Sequence, residues 1–341
     1  WTFAGAAALY YAALLTPERV KLAGRRFEPL PLLLLGLPAV VALYFLLTTD
    51  WQAWQEKLSW LGPALGVLVA LRQPAPGHLL HPNMAGGLLA VLLPLQIGAL
   101  RWRRSPGWQR LAGLALVALT LLGLAVSSAR GAWLALAGVA GVWRLAQAAG
   151  ALLNKASPRR EGGPAGGRRP LAQAAITLAL LLAGALLAWA ALAATSLAGP
   201  LAEAASRSRL TLWVDTLDLL GDTPLTGLGF EAFQMAYVSY GLLLHVGFQP
   251  HSHNLLLEIW LRQGLLGLLA VAWMALTVLR LRRAPTWWRP WALASLAVMV
   301  LHGLVDIPLY GGRGLMLALL PLALLARGPD GEPVRLPRQP N

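Results

Sequence analysis

The chain has 341 residues, of which 57% are hydrophobic and only 12% charged. A soluble domain carries about 25% charged residues, so the composition excludes an ordinary water-soluble globule, while the apolar content excludes a disordered chain and the zero cysteines exclude a disulfide framework. The formal net charge of +14 would suggest a nucleic-acid partner in a soluble protein, but here the basic residues follow lipid topology.

A spanning helix takes about 20 mostly apolar residues. In chain order the apolar runs are 1–15, 29–48, 83–100, 111–127, 132–149, 171–194, 255–279, 290–310 and 314–326. They predict an all-α polytopic membrane protein of about 9–10 transmembrane helices. The run 58–71 is too short to cross and reads as a half-inserted, re-entrant piece. The first residue is Trp1 rather than Met, which reads as a truncated N-terminus. The expected organisation is one integral membrane domain over 1–341. It carries an extracytoplasmic loop subdomain at 195–254 and a flexible Gly/Pro/Arg-rich loop at 154–170.

Most of the 28 basic residues fall in the loops 16–28, 101–110, 154–170 and 280–289, at Arg144 and in the tail from Arg327. The positive-inside rule puts those segments in the cytoplasm. Lys57, Arg72, Arg130, Arg207, Arg209, Arg262 and Arg313 are left facing outward. A guanidinium near lipid is costly unless it is paired or meets an anion, and its planar fork suits phosphate oxygens. Arg130, Arg207 and Arg209 are therefore candidate anion-binding residues. A snorkelling arginine at a helix end is the plainer alternative.

The outward loop 195–254 is the longest connection, and long ordered loops tend to be functional. Leu210, Trp213, Leu217 and Leu220 are spaced as one face of a helix over 207–220. Breakers follow at Asp222, Pro224, Gly227 and Gly229, and a second helix is predicted over 230–240. The loop ends in His251, Ser252, His253 and Asn254, with Asn254 able to cap the next span. His251 and His253 supply two metal ligands where zinc needs three or four, and no third stands at helical spacing, so no metal site is expected. Asp215, Asp218 and Asp222 share a helix face that could attract a hard cation but reads more simply as solvated. His302 and Asp306 are four apart on one face, with His302 and Arg313 as candidate partners for the carboxylate. His81, Pro82 and Asn83 open another span.

Taken together and in order, HPNMAGG (81–87), SSARGAW (127–133), RLTLWVDTLDLLGDTPLTGLGF (209–230), HSHNLLLEIWLRQGLLG (251–267) and HGLVD (302–306) resemble the O-antigen ligase and O-antigen polymerase superfamily of WaaL/Wzy-type integral membrane glycosyltransferases. The resemblance implies an all-helical, GT-C-like fold in a bacterial inner membrane, with the active site on the extracytoplasmic face. It implies an undecaprenyl-diphosphate-linked glycan as donor and a hydroxyl on a glycan, on lipid A-core or on a protein as acceptor, with no cofactor and no metal. Arg130 and Arg209, with Arg207, would bind the donor diphosphate. His253 or His251 would activate the acceptor, supported by Asn254, Asp306, His302, His81 and Asn83. Where the family has an Asn-Pro-Asn type string, this chain has His81-Pro82-Asn83.

The chemistry implied by the family suits these residues. Preset arginines stabilise a departing diphosphate, and imidazole is a base suited to neutral pH. The competing readings are a transporter or flippase for a lipid-linked sugar and a non-catalytic assembly protein for envelope polysaccharide. A transporter would show paired broken helices in two related halves, and the short run 58–71 has no corresponding partner.

Overall fold

The computed structural model describes residues 2–16, 20–22, 25–54, 58, 61–72, 80–102, 107–156, 200–229, 236, 251–282, 286–307 and 319–327. The elements are α1 (Thr2–Leu15), a two-stranded antiparallel hairpin of β1 (Val20–Leu22) and β2 (Arg25–Phe27), α2 (Pro29–Thr48), a 3-10 turn (Trp51–Trp54) and α3 (Ala64–Leu71). They continue with α4 (Pro82–Leu100), α5 (Gly107–Ser127), α6 (Arg130–Ala156), α7 (Pro200–Asp222), α8 (Leu255–Leu281) and α9 (Arg289–Gly303). Among the described residues the architecture is all-α apart from the hairpin.

Among the described residues four helices are long and apolar enough to cross a membrane: Pro29–Thr48, Pro82–Leu100, Arg110–Ser127 and Leu255–Leu281. The protein is thus a multi-pass membrane protein. The other expected spans differ from the sequence reading in several ways. α1 has 14 residues and α9 has 15. α6 runs from Arg130 to Ala156, beyond the expected 132–149 at both ends. The run 314–326 is described as helix only over 319–325. The runs 171–194 and 230–240 and the loop 157–170 lie outside the described residues, apart from residue 236. α3 has eight residues, a rise of about 12 Å against a hydrocarbon core of about 30 Å.

The chain divides into two compact units, one made of Trp1–Ala132 and Trp213–Asn341, the other of Trp133–Leu212. The first unit is built around α4, which packs against α2, α5 and α9. Small residues let these backbones approach. A Cβ on Gly86 would collide with Ser127 and Ala129, one on Gly98 with the ring of Trp291, and one on Gly123 with Ala42. Polar ties cross the same seams: Gln96 Nε2 donates to the Leu35 carbonyl at 2.8 Å, and Ser295 Oγ donates to the Val91 carbonyl. Arg327, expected in a cytoplasmic tail, is fully buried and donates to the carbonyls of Ala13, Leu14 and Thr16. It satisfies acceptors that the end of α1 leaves open.

α4 starts at Pro82, which needs no amide hydrogen there, and His81 Nδ1 accepts the Asn83 amide at 3.2 Å. At its far end Trp102 stacks on Trp288 with ring centroids 5.1 Å apart. α4 and α9 therefore run antiparallel. The start of α4, the end of α5, the start of α6 and the end of α9 gather at one end of the first unit.

Candidate active site

That end holds most of the residues singled out from the sequence. Asn254 caps α8: its Oδ1 accepts from the amides of Leu256 and Leu257 at 3.0 and 3.1 Å, as a helix start prefers. Its Nδ2 donates to the Leu304 carbonyl at 3.3 Å. Leu255 packs directly on Gly303, where a Cβ would meet it at 2.9 Å. The start of α8 is thereby fastened to the end of α9.

The His-Ser-His turn is held from beneath by Glu258, which is 4% exposed. Glu258 Oε2 accepts from both the amide and the hydroxyl of Ser252 at 2.9 Å, and its other oxygen pairs with Arg262. Two charges this deep are stable only when paired and hydrogen-bonded. Neither Glu258 nor Ser252 received a role in the sequence analysis. The signal was a carboxylate inside the first turns of an apolar helix with an arginine four residues on.

His253 has φ 53, in the left-handed region that histidine visits more readily than most residues. This turn brings the rings of His251 and His253 within 4.2 Å, centroid to centroid. Both face Asp306. His253 Nδ1 lies 3.0 Å from Asp306 Oδ1, and His251 Nε2 lies 3.6 Å from the same oxygen. The amide of Ile307 donates to that oxygen at 2.8 Å. The His251 side chain is 10% exposed and that of His253 21%, so His253 is the more reachable of the two.

The sequence reading offered His302 and Arg313 as partners of Asp306. The structure gives the carboxylate to His253 instead, because α9 stops at Gly303 and a turn carries Asp306 back toward the start of α8. His302 keeps a part in that turn, since its carbonyl accepts the Asp306 amide at 2.9 Å. Arg313 lies outside the described residues. Asp306 stands beyond the end of α9 and outside the four candidate spans. Burial opposes its ionised form, but the hydrogen-bonding contacts with His251 and His253 and the electrostatic influence of the neighbouring His253 and His302 rings outweigh it. They hold the carboxyl well below the ordinary carboxylate range.

Gly131, in the first turn of α6, lies against His302 and Val305: a Cβ there would meet Val305 at 3.0 Å and the His302 ring at 3.2 Å. Arg130 precedes it as the first residue of α6, and its side chain is exposed. His81 is exposed at the start of α4, with Asn83 bonded to it and its ring on that of Trp54 at 4.9 Å. Arg207 and Arg209 belong to α7 in the second unit, where Arg209 is half-buried. The expected apolar face of α7 is corrected: Leu210 and Leu217 are exposed, and the buried residues are Leu212, Thr216, Leu219 and Leu220. In a membrane protein exposed leucines are as much at home as buried ones, so apolar spacing alone does not select the packed face.

His251, His253 and Asp306 each offer a metal-ligand atom, all within 4.8 Å of one another. The third ligand that the sequence lacked at helical spacing is supplied by the fold. Among the described residues Asp215, Asp218 and Asp222 form no such group, and Asp218 and Asp222 are exposed.

The glycines after α7 serve a break in α8. Gly264 has φ 61 and ψ −155 inside the helix. The segment 225–228 lies against it: the Leu228 amide donates to the Leu261 carbonyl at 2.6 Å, and the Leu265 amide donates to the Leu225 carbonyl at 2.9 Å. Trp260 Nε1 donates to the Pro224 carbonyl at 2.7 Å. Backbone freed at membrane depth is tolerated only when protein satisfies it, and this segment does so.

Fold and site thus define a multi-pass helical membrane protein with a His–Asp group where several helix ends meet. Residues 115–272 match the family Wzy_C, O-antigen ligase. Over this stretch the chain is similar to the O-antigen ligase family. The matched stretch includes Arg130, Arg207, Arg209, His251, His253 and Asn254, while His81, His302 and Asp306 lie outside it. No curated protein matches the chain.

Proposed function

We propose that the chain transfers a glycan from an undecaprenyl-diphosphate donor to an acceptor hydroxyl on the extracytoplasmic face of a bacterial inner membrane. The carrying observation is the hydrogen bond between His253 and Asp306 in a ring that is still reachable. An ionised carboxylate only accepts hydrogen bonds, so Nδ1 of His253 carries the proton and Nε2 is left as a base. Nε2 takes the proton of the acceptor hydroxyl, whose oxygen bonds to the anomeric carbon. The bond from that carbon to the diphosphate breaks, and undecaprenyl diphosphate leaves with the electron pair. A single displacement of this kind inverts the anomeric centre.

We assign to Arg130, Arg209 and Arg207, as the resemblance implies, the binding of the diphosphate and the stabilisation of its departing charge, a role for which preset guanidinium forks are suited. On this reading no step is assigned to a metal ion. Asn254 and His302 hold the turns that carry His253 and Asp306, and His81 and Asn83 shape the neighbouring helix start.

The test is reconstitution with an undecaprenyl-diphosphate glycan and separate acceptors. One addition identifies a ligase, and a ladder identifies a polymerase. His253→Ala is expected to abolish transfer while donor binding survives. Transfer by that variant at the unmodified rate would remove His253 from its role, and a trapped glycosyl–enzyme adduct would end the single-displacement scheme.

A further inference from the structure

We infer that His251, His253 and Asp306 form a zinc-binding site whose occupation switches the proposed transferase off. The inference rests on the proposed role of His253 for its consequence, and on geometry alone for the site.

The ligand set comes first. Two imidazoles and one carboxylate, with a fourth position for water, form a familiar set for zinc. A tetrahedral ion with bonds of about 2.0–2.1 Å places neighbouring ligand atoms about 3.3–3.4 Å apart. The His253 Nδ1 and His251 Nε2 distances to Asp306 Oδ1, 3.0 and 3.6 Å, bracket that value. The three atoms lie within 4.8 Å of one another, so only small ring rotations are required.

The supporting shell is also in place. Ser252, between the two histidines, is fully buried and anchored by two bonds to Glu258. Asp306 is fixed by the Ile307 amide and by its own amide on the His302 carbonyl. Such outer contacts orient ligands and raise metal affinity. The turn with its left-handed residue at His253 holds the two rings 4.2 Å apart, centroid to centroid, with the His253 ring on the carboxylate.

Occupation has a defined chemical effect. Zinc on Nδ1 of His253 takes the position of the proton that Asp306 accepts. The neutral ring then carries its one proton on Nε2, the atom required as base. The histidine is not consumed, but its tautomer is reversed, and removal of the ion restores it.

The experiment uses the full chain in detergent micelles. Zn²⁺ is titrated by calorimetry against a competing chelator, and Co²⁺ substitution is followed by its visible absorption. One ion per chain is expected, with an intense tetrahedral Co²⁺ spectrum. His251→Ala and Asp306→Asn should each weaken binding at least about 10-fold, while Asp222→Asn should not. Absence of binding, or binding unchanged in His251→Ala, overturns the site. The Co²⁺ spectrum on the unmodified chain keeps the test valid if a variant does not fold. In the transfer assay zinc should stop the reaction and a chelator restore it, and undiminished transfer with the ion bound overturns the switch. Zinc binding without transfer under any metal-free condition would leave the site standing and sink the transferase reading. Transfer without zinc binding would do the reverse.

Discussion

Nδ1 of His253 and Oδ1 of Asp306 stand 3.0 Å apart, joining the turn before α8 to the turn after α9. The amide of Ile307 donates to the same oxygen at 2.8 Å, so the carboxylate is aimed before any substrate arrives. Replacing Asp306 by Asn keeps the shape but presents an amide that can donate to Nδ1 and favour the wrong tautomer. Asp306→Asn is expected to lower kcat by about 10²–10⁴-fold, the range for losing general base catalysis or its orienting partner. KM for the donor should change little. A KM increase with kcat intact would assign Asp306 to binding instead.

Asn254 performs two separable tasks. Its Oδ1 caps α8 through Leu256 and Leu257, and its Nδ2 reaches the Leu304 carbonyl. Asn254→Ala loses both and should cost about 0.5–2 kcal/mol of stability from the cap alone. Asn254→Asp keeps the cap and loses the link to α9. It should unfold close to the unmodified temperature but transfer more slowly, because the His253 turn is no longer tied to the Asp306 turn. Equal activity in Asn254→Asp and the unmodified chain would show that the link is not needed.

The Ser252–Glu258–Arg262 network predicts a stability loss. Glu258→Ala strands the buried Ser252 amide and leaves Arg262 without its carboxylate. A buried group left unsatisfied costs about 1–3 kcal/mol. Thermal unfolding in detergent should show Glu258→Ala well below the unmodified chain. The double variant with Arg262→Ala should lie above the sum of the two single losses, since partners in one network do not add.

The sequence located helix starts well where chemistry marks them. His81-Pro82-Asn83 and Asn254 stand where α4 and α8 begin, because proline and a side-chain cap are local signals. Helix ends inside apolar runs were not visible. The run 290–310 reads as one span, yet α9 stops at Gly303, and a turn of apolar composition is indistinguishable from a helix by hydropathy. That turn is what brings Asp306 to His253, a pairing between chain segments that periodicity does not reach. Likewise the sequence places Gly264 inside the apolar run 255–279 with nothing to mark a break. Its role in breaking α8 depends on segment 225–228, which is remote in sequence.

The break in α8 yields the last prediction. A Cβ on Gly264 would stand 2.1 Å from the Leu225 carbonyl oxygen, and one on Gly227 would stand 2.5 Å from the Leu261 carbonyl oxygen. Both glycines have positive φ, 61 and 67, so alanine there carries left-handed strain of about 1–3 kcal/mol besides the collision with backbone that cannot swing away. The collision also forces segment 225–228 off the helix and exposes the amide of Leu265 and the carbonyl of Leu261, which are costly to leave unpaired at membrane depth. Gly264→Ala and Gly227→Ala should therefore both lower the unfolding temperature markedly. Gly36 offers the contrast, because it lies in the middle of α2 and a methyl group added there would have nothing within 4 Å. Gly36→Ala should be neutral or stabilising by about 0.5–1 kcal/mol, the helix preference of alanine over glycine. If thermal unfolding ranks Gly264→Ala with Gly36→Ala, the docking of segment 225–228 on the broken helix is not what holds this end of the protein together.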